Sequence, residues 1–285
     1  MHHMYSNGLM SQNQFGFTPT KSTIDATMVV KEYVQRSLNE NQFLVLVSLD
    51  VQGAFDAAWW PSIMKALRDY KCPQNLYSLA RSYFNERSAA LCLKNITLGK
   101  VVIKSCPQGS CCGPGMWNIQ YNSLLNLEYT NHTKVIAFAD DLLVMTKGKT
   151  LLEAENFANV EFQKISFWAK NNKLKFNEEK SKAMPIMKNR RNGNKRINIF
   201  LNNKLLEQVD TMKYLGIVLD EKFNFSAHIQ HVADRSTKLI NALSKSAKLD
   251  WGLKHEALRT IYKCAILPLL SYGIPVWIGS LQKKI

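Results

Sequence analysis

Acidic residues are the scarce class in this chain. Only 22 Asp and Glu stand against 37 Lys and Arg, a formal net charge of +15. So few carboxylates exclude an acidic, polycation-seeking surface. They point to a polyanionic partner, nucleic acid first and an anionic membrane surface second. Cysteine is sparse too: Cys72, Cys92, Cys106, Cys111, Cys112 and Cys264, with no C-x-x-C pair and no His at finger-like spacing. The pattern of a structural zinc site is therefore missing. The adjacent Cys111 and Cys112 suit a reducing compartment. The opening MHHMYSNGLM lacks a charged segment followed by an apolar core, so a soluble intracellular protein is expected. One uncharged run nears membrane-span length, Cys264–Gln282. It is interrupted by Pro268, Gly273, Pro275 and Gly279, which predicts a helix end packed on a core. There is no internal repeat and no low-complexity linker.

What is present is enough for a well-buried core: 285 residues, 46% hydrophobic, in one large domain or two ordinary ones. The most informative stretch is Lys134–Met145, KVIAFADDLLVM. Its apolar runs Val135–Ala139 and Leu142–Met145 are too short for helices and the right size for buried strands. Asp140 and Asp141 stand between them. Neighbouring side chains on a straight strand point to opposite faces, so the two acids converge only if the chain turns there. A β-hairpin with an acidic tip is predicted. Ionised carboxylates among Ile, Phe, Leu and Val must be solvated, protonated or neutralised. A hard dication such as Mg²⁺, shared with substrate phosphates, fits; an exposed turn is the other reading, since Asp is also an ordinary turn residue.

Elsewhere, Ser22-x-x-Asp25 reads as a capping box opening a helix to about residue 40. FLVLVSLD, Phe43–Asp50, is an apolar strand ending on an acid, a way of presenting a ligand group at a sheet edge. Asp56 reads as the N-cap of a helix over 57–70, and Trp59 and Trp60 as packing residues. A helix over 75–86 and strands near 89–93 and 101–104 lead to the loop CPQGSCCGPG, Cys106–Gly115, and a helix over 116–128. Thr150-x-x-Glu153 caps a helix to about 171, with Ala154, Phe157, Ala158, Phe162, Ile165, Trp168 and Ala169 as its buried stripe. Strands over 181–187 and 197–201 flank a basic turn with Asn192-Gly193 at its tip, solvated or holding a nucleic-acid backbone. A strand over 213–219 precedes helices over 226–246 and 254–270. His228 and His231 share a helical face without a third ligand and are expected to be solvated.

Two apolar strands, one ending in Asp50 and one running into Asp140-Asp141, can bring three carboxylates to one rim. A two-metal site for nucleotidyl transfer needs acids bridging cations about 3.5–4 Å apart. At this point five blocks of the sequence resemble one family. AFADDLLVM resembles the F/Y-x-D-D box of reverse transcriptases, SLDVQGAFDAAWW their first-aspartate motif, and CPQGSCCGPGMWNIQYNSLL their P-Q-G motif. QFGFTPTKSTIDA is similar to the Q-x-G-F-R-x-x-R-S-T block, and KYLGIVLD to the primer-grip strand. They occur in the family's order from about residue 12 to 220, and the fit is to non-LTR (LINE-type) retrotransposon enzymes.

The resemblance implies an α+β fold: a right-hand polymerase palm, an antiparallel sheet with packed helices, with partial fingers and a helical thumb. Residues 1–41 would be partial fingers, 42–220 the palm with inserted fingers elements and the primer grip, and 221–285 the thumb helices. Asp50 and Asp140 would bind two Mg²⁺, with Mn²⁺ as a substitute. Asp141 would support them and the carbonyl of Val51 add a ligand. Phe55 matches the steric gate against a ribose 2′-OH. Gln108 and Gly109 would line the dNTP site, Lys180 would meet the leaving pyrophosphate or else be a solvated strand-end lysine, and Tyr214, Leu215 and Gly216 would hold the primer end. The implied partners are an RNA template, a DNA primer and dNTPs, without a membrane, and the implied compartment is the nucleus.

Three departures stand out. Thr18 replaces the Arg of G-F-R, and Gly113-Pro114-Gly115 replaces the commoner S-P. The chain also begins just before the Q-F-G-F block, so a fragment of a longer polyprotein or a decayed copy is expected, lacking upstream fingers. The rival readings are a catalytically silent relic that folds as a palm and only binds nucleic acid, and a basic membrane-surface protein, which leaves the five ordered motifs unexplained.

Overall fold

The computed structural model describes residues 1–94, 96–187, 196–246 and 252–281. A short helix α1 (His2–Ser6) precedes α2 (Thr23–Asn39). The predicted capping box is formed at α2: the Asp25 amide donates to Ser22 Oγ at 3.2 Å, and the Ser22 amide to Asp25 Oδ2 at 2.7 Å. Next come β1 (Phe43–Val51), the one-turn α3 (Ala54–Ala57), α4 (Trp60–Asp69) and α5 (Gln74–Phe84). An exposed hairpin, β2 (Ser88–Leu93) and β3 (Ile96–Val101), leads to α6 (Gly113–Leu125). Then follow β4 (Thr133–Phe138), β5 (Asp141–Gly148), α7 (Leu151–Asn171) and β6 (Phe176–Ile186). Short strands β7 (Phe200–Leu201), β8 (Lys204–Leu205) and β9 (Glu207–Gln208) precede the hairpin β10 (Thr211–Tyr214) and β11 (Ile217–Asp220). The chain ends in α8 (Ser226–Ser246), α9 (His255–Ile261), a π-helical turn Tyr262–Ile266, α10 (Leu267–Ser271) and α11 (Ile274–Trp277).

The central sheet has the order β4-β5-β1-β6-β9. Its first four strands pair antiparallel, and β9 joins β6 in parallel, so the sheet is mixed at one edge only. Period-2 alternation divides β1 between two cores. Val45, Val47 and Leu49 pack against α4, α6 and α7, whereas Leu44 and Leu46 pack against α2, β10 and β11. Burial on both faces is why β1 reads as a continuous apolar run. α7 begins as expected, its Glu153 amide donating to Thr150 Oγ1 at 3.1 Å.

Several expectations need correction. Asp56 is not an N-cap. The helix starts at Trp60, because the amides of Ser105 and Cys106 bond the carbonyls of Ala58 and Phe55 and pull the intervening chain out of helical geometry. The second strand of the exposed hairpin lies at Ile96–Val101 rather than 101–104, since Leu93 pairs with Ile96. The strand expected over 213–219 is two strands, because Leu215 and Gly216 both take positive φ (45° and 84°) and turn the chain. Phe157 is only half-buried, stacked on His132 at 4.4 Å. His228 is a core residue: its Nδ1 accepts from the Val218 amide at 3.3 Å, and its ring meets Trp277. The Asn192-Gly193 tip lies outside the described residues.

By length and composition, His255–Ser280 is long and apolar enough to cross a membrane. The stretch contains the π turn and breaks at Tyr272-Gly273, while Val276 and Trp277 are buried against the α2 side of the sheet.

Candidate active site

Three carboxylates meet at one end of the sheet. β1 and β5 run antiparallel, and their last paired residues are Leu49 and Leu142. One step further along each strand stand Asp50 and Asp141. By alternation both lie on the face of Leu44, Leu46, Leu143 and Met145, the α2 face. Asp140 sits in the turn between Phe138 and Asp141, which pair across the hairpin. Burial raises the pKa of Asp140, a backbone hydrogen bond opposes that rise, and the charge of Asp50 adds to it. Asp141 is raised by burial, then by Asp140 and by Asp50. Like charges that perturb one another this way share a site. Among the described residues none of the three forms an ion pair.

The donor set is hard oxygen, which suits Mg²⁺ or Mn²⁺ and excludes a thiolate-type metal. It is not a closed cage: among the described residues no three His, Cys, Asp or Glu side chains already stand in metal-holding geometry. Mg²⁺ tolerates that, because it binds through one or two carboxylates and completes its shell with waters and substrate phosphates. An anionic cluster with no ion pair among the described residues fits such an ion.

The other sequence-predicted residues divide. Phe55, in α3, is stacked on Trp117 of α6 (centroids 5.4 Å) and meets Phe17 edge-on at 5.9 Å. Its carbonyl accepts from the Cys106 amide at 2.7 Å, which ties the P-Q-G loop to the first-aspartate motif. In that loop Gln108 and Gly109 are exposed, and open space surrounds the missing Cβ of Gly109. The loop closes on Ser110, whose hydroxyl donates to the Pro107 carbonyl at 2.7 Å and accepts from the Gly113 amide at 3.0 Å. A Cβ on Gly113 would lie 2.7 Å from Ser110 Oγ and 2.9 Å from the Pro107 carbonyl, so the G-P-G departure belongs to this closure.

Lys180 is exposed on a bulge of β6: Asp50 pairs with Asn177 but Ser48 with Lys182. Val51, the last residue of β1, pairs with Phe176 and buries its side chain. Tyr214, expected with Leu215 and Gly216 to hold the primer end, is buried. Its ring lies under the sheet, its hydroxyl has no hydrogen-bond partner among the described residues, and burial and the charge of Asp141 push its pKa up. Leu215 and Gly216 form the turn, and Tyr272 covers it, donating to the Leu215 carbonyl at 2.8 Å.

Motif-reading missed two residues. Ser181, fully buried, accepts from the Asp50 amide at 3.2 Å and donates to the Asn177 carbonyl at 2.7 Å, so it fixes both the bulge and the strand end that presents Asp50. Gln14 bonds both backbone groups of Ala139, the residue before Asp140. Ser181 leaves no signal in the sequence, whereas Gln14 is the Q that opens the Q-F-G-F block.

Residues 1–219 match the family model described as reverse transcriptase (RNA-dependent DNA polymerase). The chain belongs to the reverse transcriptase family. This reverse transcriptase chain is 30% identical over 273 residues to the Retrovirus-related Pol polyprotein from type-1 retrotransposable element R1 of Bradysia coprophila, covering 96% of the chain and 27% of that protein. It is 29% identical over 275 residues to the RNA-directed DNA polymerase from mobile element jockey of Drosophila melanogaster, covering 93% of the chain and 29% of that protein. The chain therefore spans under a third of the length of each of these two relatives, and the likeness to non-LTR elements seen in the motifs holds. In fold the reverse transcriptase chain is similar to telomerase from Candida tropicalis in complex with a fragment of telomeric RNA, with a TM-score of 0.56 at 13% identity, covering 99% of this chain and 46% of that one. A truncated apo form of the same telomerase gives 0.53 at 11% identity over 73% of this chain and 39% of that one. These likenesses and the central sheet establish the α+β polymerase palm.

Proposed function

We propose that this chain carries the nucleotidyl-transfer centre of a retrotransposon RNA-directed DNA polymerase, extending a DNA primer with dNTPs on an RNA template. The observation that carries the reading is the gathering of Asp50, Asp140 and Asp141 at one sheet end, each aspartate of the hairpin perturbed by the charge of Asp50.

Asp50 and Asp140 would hold two Mg²⁺, or Mn²⁺ in their place, with the Val51 carbonyl as a further ligand and Asp141 supporting the pair. When bound, such ions lower the pKa of an attacking hydroxyl and stabilise charge developing on phosphate oxygens. Phe55, stacked on Trp117 and meeting the exposed Phe17 edge-on, would present its ring against a sugar 2′-OH. Gln108 and Gly109 offer an exposed wall with room for a nucleotide to approach. Lys180, thrown outward by the Ser181 bulge next to Asp50, supplies a cation for departing pyrophosphate. The division into fingers (1–41), palm (42–220) and thumb (221–285) follows from the same reading. The excess of 37 basic over 22 acidic residues gives the template and primer a cationic surface.

Extension of an oligo(dT) primer on poly(rA), with Asp140→Asn as control, tests this. Signal in the wild type and none in the variant is expected. Equal signal from both would remove the enzymatic reading and leave a palm that at most binds nucleic acid.

A further inference from the structure

The turn that carries Asp140 is held from outside the sheet. Ala139 is a non-glycine residue at φ 58°, a left-handed conformation that costs an L-residue energy and persists only where its surroundings impose it. The imposing group is the Gln14 side chain. Its Nε2 donates to the Ala139 carbonyl at 3.2 Å, and its Oε1 accepts from the Ala139 amide at 3.0 Å. One side-chain amide thus satisfies both backbone groups of the strained residue.

The clamp is itself fixed. Oε1 also accepts from the Gly16 amide at 2.9 Å, and the Gly16 carbonyl accepts from Asn118 Nδ2 of α6 at 3.0 Å. Gly16 lies directly against the turn: a Cβ there would come within 2.1 Å of the Ala139 nitrogen. Main-chain bonds from Phe15 to the Ala137 carbonyl and from Ala137 to the Asn13 carbonyl lay the whole segment along β4. Gln14 is 1% exposed, so water cannot replace these bonds.

We infer that Gln14 is a positioning residue for the divalent-cation site, holding the Ala139 turn so that the Asp140 and Asp141 carboxylates face Asp50. The inference rests on the proposed metal-dependent function and assigns a task to the Q-x-G segment that lies wholly outside the acidic hairpin. Groups that orient metal ligands from behind govern affinity by about 10- to 100-fold when removed. Loss of the clamp is therefore expected to weaken cation binding by about tenfold without removing any ligand.

The test uses Mn²⁺ alone, its free concentration followed by electron paramagnetic resonance, with the full chain and no nucleic acid. Gln14→Met keeps the volume and loses the three hydrogen bonds. Asn122→Ala is the control: it cuts a comparable buried tether of the amino-terminal segment, to Ser11, Leu9 and Tyr70, and leaves the three bonds of Gln14 in place. Wild type and Asn122→Ala are expected to bind Mn²⁺ alike, and Gln14→Met about tenfold more weakly. Asp140→Asn separates the two levels of the argument. If it binds like the wild type, the metal reading itself fails; if it loses Mn²⁺ while Gln14→Met binds normally, only the clamp is overturned. Should Gln14→Met not fold, hydrogen exchange of the wild type decides. A slowly exchanging Ala139 amide supports the clamp, and an amide exchanging as fast as an open turn overturns it.

Discussion

Asp141 of β5 and Asp50 of β1 occupy the same sheet face, one step past the last paired residues Leu142 and Leu49. With Asp140 beside them, they form a cluster of like charge that the described residues do not neutralise, Asp50 and Asp140 half-buried and Asp141 open to solvent. An arrangement that costs stability in the free protein is what a site built for a cation looks like.

That cost is measurable. A carboxyl whose pKa is raised by folding binds its proton more tightly in the folded state. Its contribution favours the fold below the unfolded value, near 3.8, and is lost as pH rises through the raised folded value. Asp141→Asn removes this liability. Without divalent ions the variant should melt slightly above the wild type at pH 7, the gain kept small by the solvent that reaches Asp141, and the two should converge below about pH 4. A variant that melts lower by the same margin at both pH values would contradict the electrostatic account.

Phe55 should set sugar selectivity because its ring is stacked on the buried Trp117 of α6. In Phe55→Val the ratio of rNTP to dNTP incorporation should rise by about tenfold or more, the range of a pocket enlarged by a few carbons. Single-nucleotide insertion kinetics on one template measure it. An unchanged ratio would place the ring away from the sugar.

Ser181 should matter for rate rather than affinity. Ser181→Ala frees the Asp50 amide and the Asn177 carbonyl, loosening the strand end without touching an exposed residue. A fall in kcat of about tenfold with little change in the KM for dNTP is expected, as for a lost orienting hydrogen bond. A change confined to KM would move Ser181 to substrate binding.

Template–primer affinity should depend steeply on salt. Six to ten phosphate contacts by the basic surface predict a loss of about 10³–10⁵ between 50 and 200 mM salt. Fluorescence anisotropy with a labelled duplex gives the slope, and a flat response would deny the surface its role.

Much of this was legible in the sequence because local chemistry and tertiary placement agreed. The apolar runs on either side of Asp140-Asp141 became β4 and β5, and FLVLVSLD became β1, because a strand buried on both faces has no other composition to show. The boxes at Ser22 and Thr150 were readable since a cap is made by residues three apart. The strands at 96–101 and 211–220 were set by local turns, at Leu93–Ile96 and at Leu215-Gly216, but other failures were decided by distant residues. Asp56 lost its cap to bonds from Ser105 and Cys106, His228 went inside because Val218 and Trp277 await it, and Tyr214 is buried by the sheet above it. Ser181 and Gln14 act on backbone atoms of other segments, and such contacts leave no periodicity to read.

The central claim is that Asp50 and Asp140, ninety positions apart, face one divalent ion. Replacing Mg²⁺ with Fe²⁺ in the presence of ascorbate and peroxide generates hydroxyl radicals at the bound ion and cuts the nearby backbone. The account predicts two sets of fragments, one ending near residue 50 and one near residue 140, both suppressed by excess Mg²⁺ and both absent in Asp140→Asn. Cleavage at one segment only, or cuts indifferent to Mg²⁺ and to the substitution, would contradict it.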